Sequence, residues 1–147
     1  MSGYDGQGAK KKRGTERGRQ GKSGSYVVDG AKLKCPFGDK ECKLKVPDTR
    51  TVFINDKRQA NITDFIPQVN IDSFGDCSSL ANPTVAAATA ANNGKLQKMK
   101  CFPAIIMNWM QGKNDVLIGN CPALLKKSYV MCMWGGKINI QDDGQGK

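Results

Sequence analysis

The stretch SYVMCMWGGKINI at residues 128–140 places two short apolar runs on either side of a Gly-Gly pair. Alternate side chains of a strand point to opposite faces, so Cys132 and Trp134 share one face while Met131 and Met133 share the other. A Gly-Gly pair permits the positive φ angles of a tight reversal. The stretch therefore predicts a β-hairpin that is buried on at least one side and carries a cysteine on its buried face.

The rest of the chain is also divided into short segments by turn residues. AKLKC (31–35) and CKLKVPD (42–48) alternate in polarity, and VFINDKRQ (52–59) predicts two strands around an Asn-Asp turn. Prolines and glycines at close spacing leave little room for helices. The sequence thus predicts a mostly β fold: a small, single β-rich domain of short strands and irregular loops.

One segment favours a helix, NPTVAAATAANNGKL at residues 82–96. Asn82 has the chemistry of a helix cap, Pro83 suits the first turn, and the Asn-Asn-Gly run is a stop signal. A stretch of small residues is equally typical of a loop packed closely on the core. Both interpretations stay open on the sequence alone.

The amino-terminal arm differs in composition from everything after it. Residues 1–25 hold seven basic and two acidic residues, a net charge of +5, which is half of the +10 of the whole chain. Its Gly, Ser and Gln content predicts a disordered basic arm at 1–25 and a folded domain at 26–147. We expect the arm to be a solvated tail or partner-docking segment, although basic runs also bind nucleic acid.

The composition disfavours enzymes and membrane spans. The chain has no histidine, so the commonest general base is missing, and no phosphate-binding glycine loop occurs. We therefore expect no enzymatic activity. No run approaches the ~20 apolar residues of a membrane helix, and no signal-peptide core is visible. These features predict a soluble product made in the cytoplasm without a signal peptide.

Six cysteines stand at wide spacing, without a single C-x-x-C pair. Zinc fingers and ribbons usually place two ligands within about two to four residues of each other. The spacing of the cysteines in this chain therefore does not by itself predict a metal site. Reduced buried thiols, a metal site assembled from distant segments, and disulfides formed after export all remain open.

Several blocks resemble a known family in register and in order. They are GAKLKCPFG (30–38), ANITDFIP (60–67), VNIDSFGDCSSLANPTVAAATAAN (69–92), KCFPAII (100–106), DVLIGNCPALLKKS (115–128) and MCMWGGKINIQDDGQ (131–145). Together they look like the PAAR-like spike-tip proteins of bacterial contractile injection systems, including type VI secretion, a family formerly of unknown function. The resemblance covers nearly all of the chain after the arm.

The resemblance implies a β-rich cone that caps and seals a trimeric spike protein, one tip monomer per trimer, and helps to puncture a target membrane. PAAR proteins hold zinc through three histidines and one cysteine, and this chain departs from that pattern because it has no histidine. Four cysteines match positions where PAAR-like relatives carry one, which implies a structural zinc site made of Cys35, Cys77, Cys101 and Cys132. Cys42 and Cys121 do not match.

The same resemblance implies where the protein acts. After synthesis in the bacterial cytoplasm, it would assemble at the tip of the injection particle and be delivered outside the cell or into the target. Effector cargo attached to the tip is a further partner that the resemblance implies. For the tip function, no specific nucleic acid is expected as a partner. The main rival function is a small basic zinc protein that binds nucleic acid. A second rival is a secreted, disulfide-stapled toxin or inhibitor.

Overall fold

The computed structural model describes residues 24–146 of the chain. The described part is mostly β, with short strands, irregular connections and one short helix, as the sequence predicted. The predicted disordered arm at 1–25 lies almost wholly in residues 1–23, outside the described residues. No helix within residues 24–146 is long and apolar enough to cross a bilayer.

Between residues 24 and 146, ten strands and one helix follow each other. They are β1 (Lys32–Lys34), β2 (Cys42–Lys43), β3 (Phe53–Ile54), β4 (Lys57–Arg58), β5 (Asp76–Cys77), α1 (Pro83–Ala91), β6 (Met99–Lys100), β7 (Lys113–Ile118), β8 (Cys121–Ala123), β9 (Tyr129–Met131) and β10 (Lys137–Asp142). Four strands form one antiparallel sheet in the order β9-β10-β1-β2, and the pairs β3-β4, β5-β6 and β7-β8 form three separate ribbons.

The predicted hairpin at 128–140 is present as β9 and β10. Val130 pairs with Ile138 across it, and Gly135 takes a φ of 93° in the turn. The first strand of the described chain then joins the last, since Leu33 of β1 pairs with Ile140 of β10. The sheet therefore unites segments from both ends of the domain.

One other local prediction is confirmed, and one open alternative is decided. Asn55 and Asp56, between β3 and β4, have φ angles of 54° and 65°, the positive values that a two-residue hairpin turn requires. In the segment at 82–96, where the sequence left helix and packed loop open, Pro83–Ala91 form a helix whose cap is Asn82, which accepts a hydrogen bond from the Thr84 amide at 3.0 Å.

The inner face of the four-stranded sheet covers the core. Alternation along the strands buries Leu33, Val130, Ile138 and Ile140, and the outer positions are exposed. The largest buried side chain is Trp109, whose indole Nε1 donates to the Asp64 carbonyl at 2.9 Å. This hydrogen bond satisfies the polar atom of a ring that is otherwise wholly enclosed.

An ion pair fixes the loops near β3 and β7. Arg50 donates to both carboxylate oxygens of Asp64, at 2.9 and 2.7 Å, and their side chains are 11% and 2% exposed. The Asn61 amide also donates to Asp64, at 2.9 Å. The ion pair is bidentate and almost fully buried. If one partner is removed, the charge of the other stays buried without compensation.

Replacing Arg50 tests this contact. Arg50→Ala should lower the free energy of unfolding of the full chain by about 3 kcal/mol, because the Asp64 carboxylate stays buried without its cation. The matched control is Lys113→Ala, which removes the exposed 3.0 Å pair with Asp115 and should cost less than about 1 kcal/mol. Urea unfolding followed by circular dichroism measures both, and equal losses would contradict the assignment.

Candidate metal centre

Four cysteines from four separate segments line one small cavity. Cys35 follows β1, Cys77 ends β5, Cys101 follows β6 and Cys132 follows β9, and the four residues are 5–7% exposed. The cavity has a volume of about 10 Å³, and its remaining wall is formed mainly by aromatic rings, Pro103 and glycines. That volume is the size of roughly one water-sized sphere.

The four-stranded sheet brings two of these thiols together. Cys35 and Cys132 follow β1 and β9, the two neighbours of β10, and Gly136 immediately precedes β10 between them. A Cβ atom at Gly136 would lie 2.6 Å from the Cys35 sulfur. The missing side chain of Gly136 therefore makes the space in which this end of the sheet gathers its thiols.

The β5-β6 ribbon supplies the other two thiols. Cys77 pairs with Met99, and the Cys101 amide donates to the Gly75 carbonyl at 2.8 Å. The ribbon is joined to the turn after Cys35 because the Ser78 amide donates to the Phe37 carbonyl at 2.9 Å. These main-chain bonds hold the two halves of the cysteine cluster in place.

The main chain also points donors at the sulfur atoms. The Ser79 amide donates to the Cys77 sulfur at 3.4 Å, and the Ala104 amide donates to the Cys132 sulfur at 3.5 Å. Trp134, on the cavity wall, has a buried Nε1 without a hydrogen-bond partner among the described residues. N–H groups around sulfur stabilise a thiolate more than a neutral thiol, because a thiol is a weak acceptor.

Burial keeps two of these thiols, Cys35 and Cys101, protonated at neutral pH. Burial raises the pKa of Cys101 from 9.0 to about 11, against the lowering effect of a backbone hydrogen bond with Phe74, and the other three cysteines of the cavity raise it further. Burial likewise raises the pKa of Cys35, opposed by hydrogen bonds with Phe37 and Gly38. A cation in the cavity would reverse this balance, since it favours the charged form.

The two remaining cysteines lie elsewhere. Cys42 is buried in β2, where burial raises its pKa and the nearby backbone of Asp72 and Ser73 lowers it; its thiol donates to the Lys43 carbonyl at 3.7 Å. Cys121 is half-buried at the start of β8. Neither lines the cavity.

The cluster is not already arranged as a set of ligands around one point. Within residues 24–146, no group of three or more His, Cys, Asp or Glu side chains is positioned to hold a metal ion. The four thiols share a cavity, and ligation by all four would require their sulfurs to close to about 2.3 Å from a zinc ion. The shared cavity shows that the four thiols lie close together in the fold. A metal site requires this closeness, and the spacing of the cysteines along the sequence does not reveal it.

A family model described as "Domain of unknown function (DUF4280)" matches residues 27–145. The chain belongs to the DUF4280 family. The matched range holds the whole four-stranded sheet and all four cavity cysteines, so the cluster is part of the DUF4280 domain of this chain. No match was found among curated proteins or among solved structures.

The structure adds glycines to the residues that sequence reasoning selected. Gly136 was identified only as part of a turn, yet its lack of a side chain leaves room for Cys35. Gly38 has a similar role, since a Cβ there would lie 2.4 Å from the Cβ of Phe74. No sequence signal separates these glycines from ordinary turn glycines, because the atoms they make room for come from distant segments.

Gly136→Ala should disturb the cysteine cluster. The added methyl group overlaps the Cys35 sulfur, so we expect a loss of about 1–3 kcal/mol in the free energy of unfolding, measured by urea titration under reducing conditions. Gly24→Ala is the control, because a Cβ at Gly24 meets no atom within 4 Å, and its effect should stay within about 0.5 kcal/mol. An unchanged stability for Gly136→Ala would show that the space is not needed.

Proposed function

We propose that this DUF4280 protein is the tip of a phage-tail-like contractile injection system, where it caps and sharpens a trimeric spike. The observation that carries the proposal is the convergence of Cys35, Cys77, Cys101 and Cys132 on one atom-sized cavity. These are the four cysteines that match the PAAR-like pattern, and Cys42 and Cys121, which do not match it, lie outside the cavity. The resemblance and the placement of the thiols therefore select the same residues.

Zinc is the group that we propose for this cavity. Four cysteines form a recognised ligand set for structural zinc, and a cavity of about 10 Å³ suits one ion rather than a cluster of several metal atoms. The amide donors of Ser79 and Ala104 suit thiolate ligands. Bound zinc would supply a closed cross-link and no open position for catalysis, which agrees with the expected absence of enzymatic activity.

The physical benefit of such a cross-link depends on where it lies. Three cavity residues stand next to strands of the four-stranded sheet, and all three lie at the same end of it: Cys35, Cys132 and Gly136. The end of a tapering domain has little volume for an apolar core, so metal–thiolate bonds supply folding free energy that burial cannot. The stiffened end is suited to concentrating the force of contraction on a small area of a target membrane.

Disulfides are the chief alternative for the same thiols. Exchange into a disulfide requires a thiolate, and the raised pKa values of Cys35 and Cys101 keep these groups protonated near neutral pH. Zinc displaces the proton as it binds, so its affinity rises with pH. In a reducing cytoplasm these conditions favour the metal over the disulfide.

Elemental analysis tests the metal. The full chain purified under reducing conditions should carry about one zinc per chain, and the double variant Cys77→Ala/Cys101→Ala should carry less than roughly a tenth of that and melt about 10 °C lower or more. The matched control is Cys42→Ala/Cys121→Ala, which should keep its zinc. Full-chain protein that lacks zinc, or a control variant that loses it equally, would refute the site.

Co-purification tests the spike role separately. Co-expressed with a trimeric spike protein from the same genome, the chain should form a complex of one tip chain per spike trimer, measured by native mass spectrometry. The nucleic-acid rival predicts instead that the full chain binds duplex DNA with an affinity that falls steeply with salt. DNA binding of that kind together with no spike complex would replace the proposed function, whatever the zinc content.

A further inference from the structure

The outer face of the four-stranded sheet carries two kinds of side chain in separate zones. Residues paired across antiparallel strands point to the same face, so the register assigns the outward positions. Lys32 pairs with Lys43, Lys34 with Asn139, Met131 with Lys137, and Tyr129 with both Asn139 and Met110. This outer sheet face therefore has a lysine zone over β10, β1 and β2 and, directly beside it, an apolar zone along the edge of β9.

The lysine zone takes part in no ion pair among the described residues. Its four lysines, Lys32, Lys34, Lys43 and Lys137, are exposed, and no ion pair joins any of them to a carboxylate among residues 24–146. Two carboxylates accompany these lysines, and one of them, Asp142, pairs with Lys32 across β10 and β1 and therefore shares the outer face. Asp142 accepts a hydrogen bond from the Gly144 amide at 2.8 Å, and Glu41 precedes β2. The face as a whole is positively charged.

The apolar zone consists mainly of methionine. Met110, Met131 and Met133 are 45%, 37% and 57% exposed. The segment beside β9 is fixed to it, since the Met133 amide donates to the Ala104 carbonyl at 2.7 Å and Met110 exchanges hydrogen bonds with Tyr129. Ile106, in the same segment, is 71% exposed. Exposed methionines on a fixed backbone are typical of surfaces that bind other proteins, because the side chain adapts its shape.

We infer that the outer sheet face binds an acidic, amphipathic segment of a partner protein, whose apolar side chains cover the methionines and whose carboxylates meet the lysines. Charge excludes two other occupants. A second copy would oppose lysine with lysine, and the arm at residues 1–25 carries a net charge of +5. The inference does not depend on the spike role or on zinc.

Nucleic acid and lipid fit the same face less well. Base stacking needs a free aromatic ring, and the Nζ atom of Lys137 lies 4.5 Å from the centroid of the Tyr129 ring, which is the aromatic ring that the register places on this face. Membrane-surface sites usually combine basic residues with Trp or Phe anchors, and the apolar zone carries methionines instead. Both ligands are included as outcomes of the test.

The test uses the full chain and a synthetic helical peptide with Leu on one side and Glu on the other. Calorimetry should show binding that is at least roughly tenfold weaker when Lys replaces Glu or Ser replaces Leu in the peptide. Lys34→Glu/Lys137→Glu should weaken binding at least about tenfold. The matched control Lys95→Glu/Lys98→Glu makes the same change in net charge away from the sheet and should bind like the wild type.

A second pair of variants tests the same face without reversing any charge, so the test does not depend on the folding of the lysine variant. Met131→Ser/Met133→Ser should also weaken binding at least about tenfold, with melting temperatures checked for every variant, and Val69→Ser/Leu80→Ser removes comparably exposed apolar groups elsewhere. Equal binding of the acidic and basic peptides, equal losses in variants and controls, or no binding would overturn the inference. So would tighter binding to duplex DNA or to phosphatidylglycerol vesicles that the same lysine variant abolishes.

Discussion

Antiparallel pairing between β1 and β10 brings the two ends of the described chain into one sheet, and most other features depend on it. This pairing places Cys35 beside the hairpin that carries Cys132 and Gly136. It also gives the sheet a buried inner face and an exposed outer face along the whole width.

Besides its aliphatic and aromatic side chains, the interior contains two groups of different chemistry. At one end of the sheet, four thiols surround a cavity of about 10 Å³. Elsewhere, Arg50 and Asp64 form a dry ion pair beneath the loops around β3 and β7. A small domain of irregular loops buries limited apolar surface per residue, so polar contacts of this kind carry a larger share of its specificity of fold. The proposed metal would add to the first contact and leave the second unchanged.

Local features of the fold were predictable, and long-range ones were not. Alternation in residues 129–134 correctly placed Cys132 on the buried face, and the Asn-Asp turn and the Asn82 cap were read from neighbouring residues. The gathering of four thiols depends on contacts between segments that are far apart, which spacing does not encode. Cys42 illustrates the limit, since it alternates in β2 as Cys35 does after β1 and is equally buried, yet it lies outside the cavity. Only the family resemblance distinguished the two.

Neighbouring residues of the sheet serve the cavity and the outer face in turn, because successive side chains point to opposite faces. Along β9 and the turn after it, Val130 and Cys132 face the core and the cavity, while Met131 and Met133 face outward. A shift of register by one residue would exchange these faces, so the buried cysteine also fixes the outward position of its methionine neighbours. A cross-link at Cys132 would hold that register against force. The same bond that stiffens the proposed tip would therefore keep the outer sheet face in the form that an acidic partner recognises.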